Sequence, residues 1–332
     1  MDDHNGVDRR VLMAGLGLAM SGLAWPAKAQ EAPSEDEVHE PIQLLANLFT
    51  RVGAAVMIDG RGPFTFVIDT GAGATSIADT VADQLGLPER NPVLIHGITT
   101  ATVTRSVFVD RMHISGLAFH DLRCPVLPRN QLGADGLIGL DALARFRLRF
   151  NVPRRTASLT LPGVRIVMGG AANLGSRIRR DGIRTVRGRY GQLILTEVTV
   201  EGQPVAAFVD SGAQYSIGNH ALRRAMAARR NRDGRLSRPV PLYGVTGQSL
   251  QADLARVDDL KLGNSRLGPT PLLFADLHCF EALGLAGAPA LLVGADMLGR
   301  FREVTLDFAA NRVSFEGLRR QTTRTIEDEL NA

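Results

Sequence analysis

The sequence contains little lysine, tryptophan and cysteine. Lys28 and Lys261 are the only lysines among 332 residues, so the net charge of +4 rests on arginine. The densest basic stretch, Arg177 to Arg189, lacks the interleaved aromatic residues of a nucleic-acid surface. We interpret this stretch as a solvated connection and expect no nucleic-acid partner, with a nucleic-acid or lipid patch as the alternative.

Long apolar runs are absent too. The apolar run from Val11 to Ala24 is too short to span a bilayer comfortably. It follows Arg9-Arg10 and precedes Ala27-Lys28-Ala29, which has the A-x-A pattern of a cleavage site before Gln30. We therefore predict a twin-arginine-like signal peptide, a mature protein without a membrane span and a periplasmic or secreted location. An uncleaved membrane anchor is the alternative.

Metal and thiol motifs are absent as well. The seven histidines form no H-E-x-x-H motif, and neither cysteine has a motif partner. Zinc and thiol hydrolase chemistry therefore has no support in the sequence.

What the sequence does have is a long internal repeat. Phe66 to Ala72 reads F-V-I-D-T-G-A, and Ala207 to Ala213 reads A-F-V-D-S-G-A. Each run follows a strand pattern and a glycine turn, at Val56 to Gly60 and at Val198 to Gly202, which predicts two matching hairpins. The chain thus contains two copies of one folding unit.

The repeat continues downstream. Leu137 to Phe146 and Leu292 to Phe301 share G-x-D-x-L-x-R-F without a gap. Closing hairpins are predicted at equal distances beyond them, at Leu148 to Leu159 and at Val304 to Phe315.

The two cysteines follow the same repeat. Cys124 and Cys279 stand equally far before Gly139 and Gly294. Equivalent positions in two copies are related by a pseudo-twofold axis, so they can form a disulfide only if their strand lies beside that axis. Because we expect the two loops that contain D-T-G and D-S-G to lie at the axis, we predict two separate, buried thiols.

Short apolar strands, punctuated by 35 glycines and 16 prolines, predict an all-β chain. Brief helical patterns occur at Ala78 to Leu85, Asp141 to Arg145, Asn219 to Ala228 and Asp296 to Arg300. The expected organisation is a signal peptide (1–29), a leader (30–49), an N-terminal lobe (50–162), a linker (163–182), a C-terminal lobe (183–318) and a polar tail (319–332).

Asp69 and Asp210 each end an apolar run. A single D-[ST]-G motif is typical of an ordinary tight turn. Buried strand ends seldom carry an unpaired carboxylate, because desolvating a charge is costly. Two carboxyls that face each other across the axis remove this cost by sharing one proton.

On these residues the chain resembles the aspartic peptidases of the pepsin and retropepsin type, over nearly all of residues 50 to 316. The resemblance rests on D-T-G-A at Asp69, D-S-G-A at Asp210 and the apolar-apolar-Gly elements that end at Gly139 and Gly294. The alanine after D-[ST]-G and the compact copies are closer to retropepsins and their bacterial periplasmic relatives. The resemblance implies two β-barrel lobes, related by a pseudo-twofold axis, with the active site at their interface.

The resemblance also assigns roles. Asp69 and Asp210 become the catalytic pair, in which one carboxyl takes a proton from water while the other donates one to the substrate carbonyl. No metal or cofactor is required. Supporting roles in the active loops fall to Thr70 and Ser211, whose hydroxyls bond to the opposite loop, and to Gly71 and Gly212, which let the backbone approach the carboxylates.

Members of this family close a glycine-tipped hairpin, or flap, over the substrate. The candidate flaps are Val93 to Thr99 and Pro241 to Gly247. Ordinary exposed hairpins are the alternative. The candidate substrate contacts on them are His96, Gly97, Tyr243 and Gly244.

Ala72 and Ala213 supply only methyl groups where pepsin-like enzymes often have a hydroxyl donor. Without that donor the pair should titrate at higher pH, so we expect an optimum at mildly acidic pH.

The sequence therefore predicts a monomeric, bilobal aspartic endopeptidase that acts on exported proteins or peptides. A peptide-binding pseudo-peptidase is the main alternative, since misplaced flaps or a lost strand would keep the cleft without turnover. A structural β-domain whose D-[ST]-G loops only cap turns is the third reading.

Overall fold

The computed structural model describes residues 12–13, 53–154, 156–161, 182–230 and 239–319. The predicted leader, and nearly all of the predicted signal peptide, linker and polar tail, lie outside the described residues. No described helix has the length and apolar character needed to cross a membrane.

The first half of the chain forms the strands β1 (Leu12–Met13), β2 (Gly53–Ile58), β3 (Arg61–Ile68), β4 (Ser76–Ala78), β5 (Glu89–His96), β6 (Ala101–Ile114), β7 (Leu117–Leu127), β8 (Gly136–Ile138), β9 (Arg147–Asn151) and β10 (Thr156–Thr160). Its helices are α1 (Asp79–Leu85), α2 (Arg129–Leu132) and α3 (Leu140–Leu143).

The second half forms β11 (Ile183–Arg187), β12 (Leu193–Leu195), β13 (Val198–Val200), β14 (Gln203–Pro204), β15 (Ala206–Val209), β16 (Ile217–Gly218), β17 (Pro239–Tyr243), β18 (Ser249–Val257), β19 (Leu260–Leu262), β20 (Ser265–Arg266), β21 (Thr270–Phe274), β22 (Ala290–Val293), β23 (Phe301–Asp307) and β24 (Arg312–Leu318). Its helices are α4 (His220–Arg230), α5 (His278–Ala282) and α6 (Ala295–Leu298).

The first half closes into a six-stranded barrel. Its strands follow the order β6-β2-β3-β8-β4-β7, and pairing of β6 with β7 completes the circle. Closure removes the exposed sheet edges that would otherwise invite pairing with another chain. The predicted all-β, two-lobed fold is confirmed.

The second half repeats the central arrangement. β15 pairs in parallel with β22 as β3 pairs with β8, and β16 then pairs with both β22 and β21 as β4 does with β8 and β7. The last residues of β3 and all of β22 are buried, which explains why they are continuously apolar rather than alternating.

The two predicted glycine turns are present and share one geometry. Asp59 and Gly60 have φ values of 48° and 79°, and Glu201 and Gly202 have φ values of 51° and 72°. Two consecutive residues of positive φ suit the right-handed twist of a hairpin, and glycine adopts this conformation without a steric penalty.

A sheet joins the two lobes. The closing hairpin β9–β10 of the first half lies beside the closing hairpin β23–β24 of the second, because β9 pairs antiparallel with β23. Arg147 and Asp307, which are partners in this register, also form an ion pair with Nε 2.7 Å from Oδ2. The sequence predicted both hairpins but not their contact.

The prediction that Cys124 and Cys279 occupy equivalent positions in the two copies is wrong, although both cysteines are free and buried as predicted. Cys124 lies on β7, whereas Cys279 lies on α5, beyond the end of β21. The segment from Phe274 to Gly294 is longer than its counterpart from Leu127 to Gly139, and its helix, α5, begins farther beyond the preceding strand than the matching helix α2 does. The equal spacing to the glycines is therefore a coincidence of the sequence.

The basic stretch from Arg177 to Arg189 is also not purely a connection. Its second part forms β11, which pairs with β12 and β24. Within it, Arg187 donates from Nε to Asn311 Oδ1 at 2.9 Å. This arginine stabilises the lobe instead of lying free in solvent.

Candidate active site

Asp69 and Asp210 begin matching loops at the ends of the central strands. The Asp69 N–H donates to the Ile138 carbonyl and the Asp210 N–H to the Val293 carbonyl, each at 3.0 Å, which extends the parallel pairings β3–β8 and β15–β22 by one residue. Both aspartates are completely buried. The two loops meet at the seam between the lobes, where hydrogen bonds join them.

Each carboxyl is held by two N–H groups of its own loop. Gly71 and Ala72 donate to Asp69 Oδ1 at 2.9 and 3.0 Å, and Gly212 and Ala213 donate to Asp210 Oδ1 at 2.9 and 3.1 Å. Backbone donors favour the ionised form of a carboxyl. They also fix the direction of both side chains.

The two carboxyls interact directly. Burial raises the pKa of Asp210 well above its usual range, and the charge of Asp69 and a hydrogen bond between the two side chains raise it further. The N–H groups of Gly212 and Ala213 oppose this shift but do not cancel it. The two carboxyls therefore titrate as a pair rather than as independent groups.

The hydroxyls beside the aspartates cross between the lobes. Thr70 Oγ1 donates to the Val209 carbonyl and accepts the Ser211 N–H, at 2.8 and 3.0 Å. Ser211 Oγ donates to the Ile68 carbonyl and accepts the Thr70 N–H, at 2.8 and 3.1 Å. These four buried hydrogen bonds lock each loop to the end of the opposite central strand.

The glycines of the loops are required by space. A Cβ on Gly71 would lie 2.7 Å from Asp210 Oδ1 and closer still to its Cγ, and a Cβ on Gly212 would lie 2.8 Å from Asp69 Oδ1. No side chain fits at either position. Each glycine therefore lets its own loop approach the carboxyl of the other lobe.

The candidate flap residues lie at the ends of the hairpins β5–β6 and β17–β18. His96 ends β5 and Tyr243 ends β17, and Gly97 and Gly244 follow them. The two hairpin tips meet: Thr99 Oγ1 lies 3.4 Å from Thr246 Oγ1. Cβ atoms on Gly97 and Gly244 would lie 3.1 Å from Thr246 and Thr99 respectively.

The sequence missed the partner of the first flap. His278, at the start of α5 in the second lobe, donates its N–H to the Ile98 carbonyl at 2.6 Å, and its ring stacks on that of His96. The ring of Tyr190 also stacks on that of His96, with ring centroids 6.1 Å apart. No sequence signal identified His278 or Tyr190, because the contact depends on how the segment around α5 packs against the first lobe.

The sequence also missed Gln192. Its side chain is buried and donates from Nε2 to the Gly71 carbonyl in the active loop of the other lobe, at 3.1 Å. Among the described residues, no three side chains of histidine, cysteine, aspartate or glutamate converge in a way that suits a metal ion.

Comparison with known proteins agrees with this geometry. A family profile described as aspartyl protease matches residues 54–142 and again residues 196–297, which together exceed half of the chain. A comparison with curated proteins gave no significant match. Each matched region contains one buried aspartate of the pair and one glycine, Gly139 or Gly294, behind the active loop. The chain belongs to the retropepsin-like aspartyl proteases, and it carries the family's domain twice.

Proposed function

We propose that the protein is an aspartic endopeptidase in which Asp69 and Asp210 activate one water molecule for attack on a peptide bond. The observation that carries the proposal is that each carboxyl lies against the active loop of the other. The two aspartates are 141 residues apart in the chain and completely buried, and each carboxyl lies against the glycine of the opposite loop at the seam between the lobes.

The arrangement supports a balanced proton transfer. The ionised carboxyl takes a proton from water as the water oxygen bonds to the carbonyl carbon, and the protonated carboxyl gives its proton to the carbonyl oxygen. The resulting tetrahedral intermediate then breaks its C–N bond. The protonated carboxyl gives its proton to the leaving amine, and the other carboxyl takes a proton from a hydroxyl of the intermediate as the new carboxylic acid forms. The dyad ends with one proton, as it began.

The flaps supply the cover that this chemistry needs. Their tips touch each other through Thr99 and Thr246, so opening them is the step that admits a polypeptide. Closing them excludes bulk water and strengthens the electrostatic interactions within the site. We propose His96, Gly97, Tyr243 and Gly244 as substrate contacts on the inner side of this cover.

The test is cleavage of casein, an unstructured protein substrate, by the native protein and by Asp69→Asn and Asp210→Asn. The matched control is Asp110→Asn, which changes an exposed aspartate on β6. We expect cleavage by the native and control proteins and a loss of at least about a thousandfold in both dyad variants. Equal cleavage by all four proteins would end the proposal. Casein binding without cleavage by native protein would favour a pseudo-peptidase.

We further propose that the protein is exported and works as a monomer, because one chain supplies both acids. N-terminal sequencing of exported protein is expected to begin at Gln30. Size-exclusion chromatography with light scattering should give the mass of one chain. A dimer that loses activity on dilution would contradict the second point.

A further inference from the structure

Gln192 lies just before β12 in the second lobe, yet its side chain reaches the active loop of the first lobe. It is 1% exposed, and its Nε2 donates to the Gly71 carbonyl at 3.1 Å. Burying an amide side chain is costly unless it makes hydrogen bonds. The contact therefore indicates a specific role for this side chain rather than general packing.

The backbone around Gln192 holds the side chain in place. The Gly188 N–H donates to the Gln192 carbonyl at 2.7 Å, and the Gly191 N–H donates to the Gly188 carbonyl at 3.1 Å. Gly191 faces the Leu140 side chain, at the start of α3 in the first lobe, because a Cβ on Gly191 would lie 3.6 Å from Leu140 Cδ1. A tight turn, supported by the opposite lobe, thus aims the Gln192 amide at the active loop.

The peptide that accepts the hydrogen bond from Gln192 also donates one to the catalytic pair. The Gly71 carbonyl belongs to the same peptide unit as the Ala72 N–H, and that N–H donates to Asp69 Oδ1 at 3.0 Å. A donor at the carbonyl of a peptide polarises its N–H and strengthens the bond that the N–H makes. Gln192, the peptide between Gly71 and Ala72, and Asp69 therefore form one chain of hydrogen bonds.

The loop of Asp210 lacks a counterpart to the hydrogen bond from Gln192 among the described residues. The Ala213 N–H donates to Asp210 Oδ1 at 3.1 Å, as Ala72 does to Asp69. Within the described part of the chain, however, no side chain donates to the matching Gly212 carbonyl. Two otherwise matched loops are therefore supported unequally.

We infer that Gln192 is a positioning residue that orients and polarises the peptide between Gly71 and Ala72, so that Asp69 is the ionised general base and Asp210 carries the shared proton. The inference rests on the proposed function, because it divides the two roles of the dyad. Its direction agrees with the raised pKa of Asp210, which burial and the charge of Asp69 produce. Asp210 then donates its proton to the carbonyl oxygen of the substrate.

The test compares the native protein with Gln192→Met, which keeps the length of the side chain but cannot donate. We expect kcat to fall about tenfold with little change in KM, because the peptide that donates to Asp69 loses the hydrogen bond to its carbonyl. The acidic limb of the pH profile should move to higher pH, since ionised Asp69 loses support. Gln203→Met, on β14, is the matched control and should leave kcat and the acidic limb of the pH profile unchanged.

A second variant keeps the test decisive if Gln192→Met does not fold. In Gln192→Glu, a protonated carboxyl can still donate to the Gly71 carbonyl, whereas an ionised one repels it. The activity of this variant relative to native should therefore fall as pH rises through the pKa of the new glutamate.

The outcomes separate this inference from the proposed function. Absence of cleavage by the native protein would overturn both. Cleavage by the native protein but not by Asp69→Asn, with an unchanged acidic limb in Gln192→Met or a pH-independent ratio in Gln192→Glu, would overturn only the role of Gln192.

Discussion

Nδ1 of His96, on the first flap, lies 2.7 Å from Nε2 of His278, on the opposite lobe. The two rings are nearly parallel, with centroids 5.0 Å apart. A contact this short between two imidazoles needs one nitrogen to donate and the other to accept. At least one of the two rings must therefore be neutral while the flap is in this position.

Acid is expected to loosen this flap. Burial and the positive charges of His278 and Arg189 lower the pKa of His96. A histidine with a lowered folded pKa stabilises the closed contact above its ordinary pKa of about 6.5, and this stability is lost as pH falls through that value. The other charged group at the contact is Glu281, whose Oε2 lies 3.5 Å from His278 Nδ1 and would partly offset the repulsion.

Hydrogen exchange measures this opening. Backbone amides from Ile95 to Ala101 should exchange faster at pH 5 than at pH 7, after correction for intrinsic rates. In His96→Phe the exchange should be fast at both pH values. Equal protection of the native flap at both pH values would contradict the prediction.

Loss of the Thr70 hydroxyl should weaken the junction between the lobes. Thr70→Val leaves the Val209 carbonyl and the Ser211 N–H without their buried partner. We expect the free energy of unfolding to fall by about 1–3 kcal/mol, measured by urea denaturation. Ser158→Ala, which removes an exposed hydroxyl on β10, should change it by less than about 0.5 kcal/mol. Similar values for both variants would contradict the role of Thr70.

Alanine at Gly71 or Gly212 should abolish activity. Its Cβ would overlap the carboxyl of the opposite lobe, so the two loops would have to separate. We expect a loss of cleavage comparable to that of the dyad variants, together with a lower melting temperature. Gly287→Ala is the control, because a Cβ there meets no atom within 4 Å. Near-native cleavage by Gly71→Ala would show that the loops lie farther apart than described.

The sequence was sufficient to predict the central part of this site. Each copy repeats an apolar strand that ends in Asp-hydroxyl-Gly-Ala, and the two copies of this pattern adopt the same loop geometry. Asp69 and Asp210 could therefore be paired before any coordinates were known. The hairpin turns at Gly60 and Gly202 were predictable for the same reason, because their geometry depends on two adjacent residues.

Contacts between segments that are distant and not repeated could not be predicted. Gln192 and His278 lie in parts of the second copy without a matching motif, and each contacts the first lobe only through the assembled fold. Cys279 shows the opposite error, because equal spacing suggested an equivalence that the longer segment between β21 and β22 removes. Repeats indicate topology, whereas tertiary packing determines which side chains meet.

Cleavage should be fastest at mildly acidic pH. Ala72 and Ala213 give the carboxyls no hydroxyl donor, and burial followed by the charge of Asp69 raises the pKa of Asp210. Ala213→Ser should add such a donor and move the pH–rate profile to lower pH. A native optimum near pH 2, or no shift in this variant, would contradict the explanation.

The raised pKa of Asp210 also predicts how the free energy of unfolding depends on pH. A carboxyl whose folded pKa is raised binds its proton more tightly in the folded state, so its contribution is present at acid pH. This contribution is lost as pH rises from about 4 through the raised pKa. Urea denaturation of Asp210→Asn should therefore depend less on pH over this range than that of the native protein. Parallel curves would contradict the assignment of the proton to this pair.

The sheet between β9 and β23 has one more consequence. Its main-chain hydrogen bonds connect the halves of the cleft independently of the polypeptide segment that links them in sequence. Two separately expressed fragments, divided within residues 162–181, should therefore assemble into one particle with a complete cleft. Each acid could then be labelled or replaced in its own fragment, which would let the two roles of the dyad be studied independently.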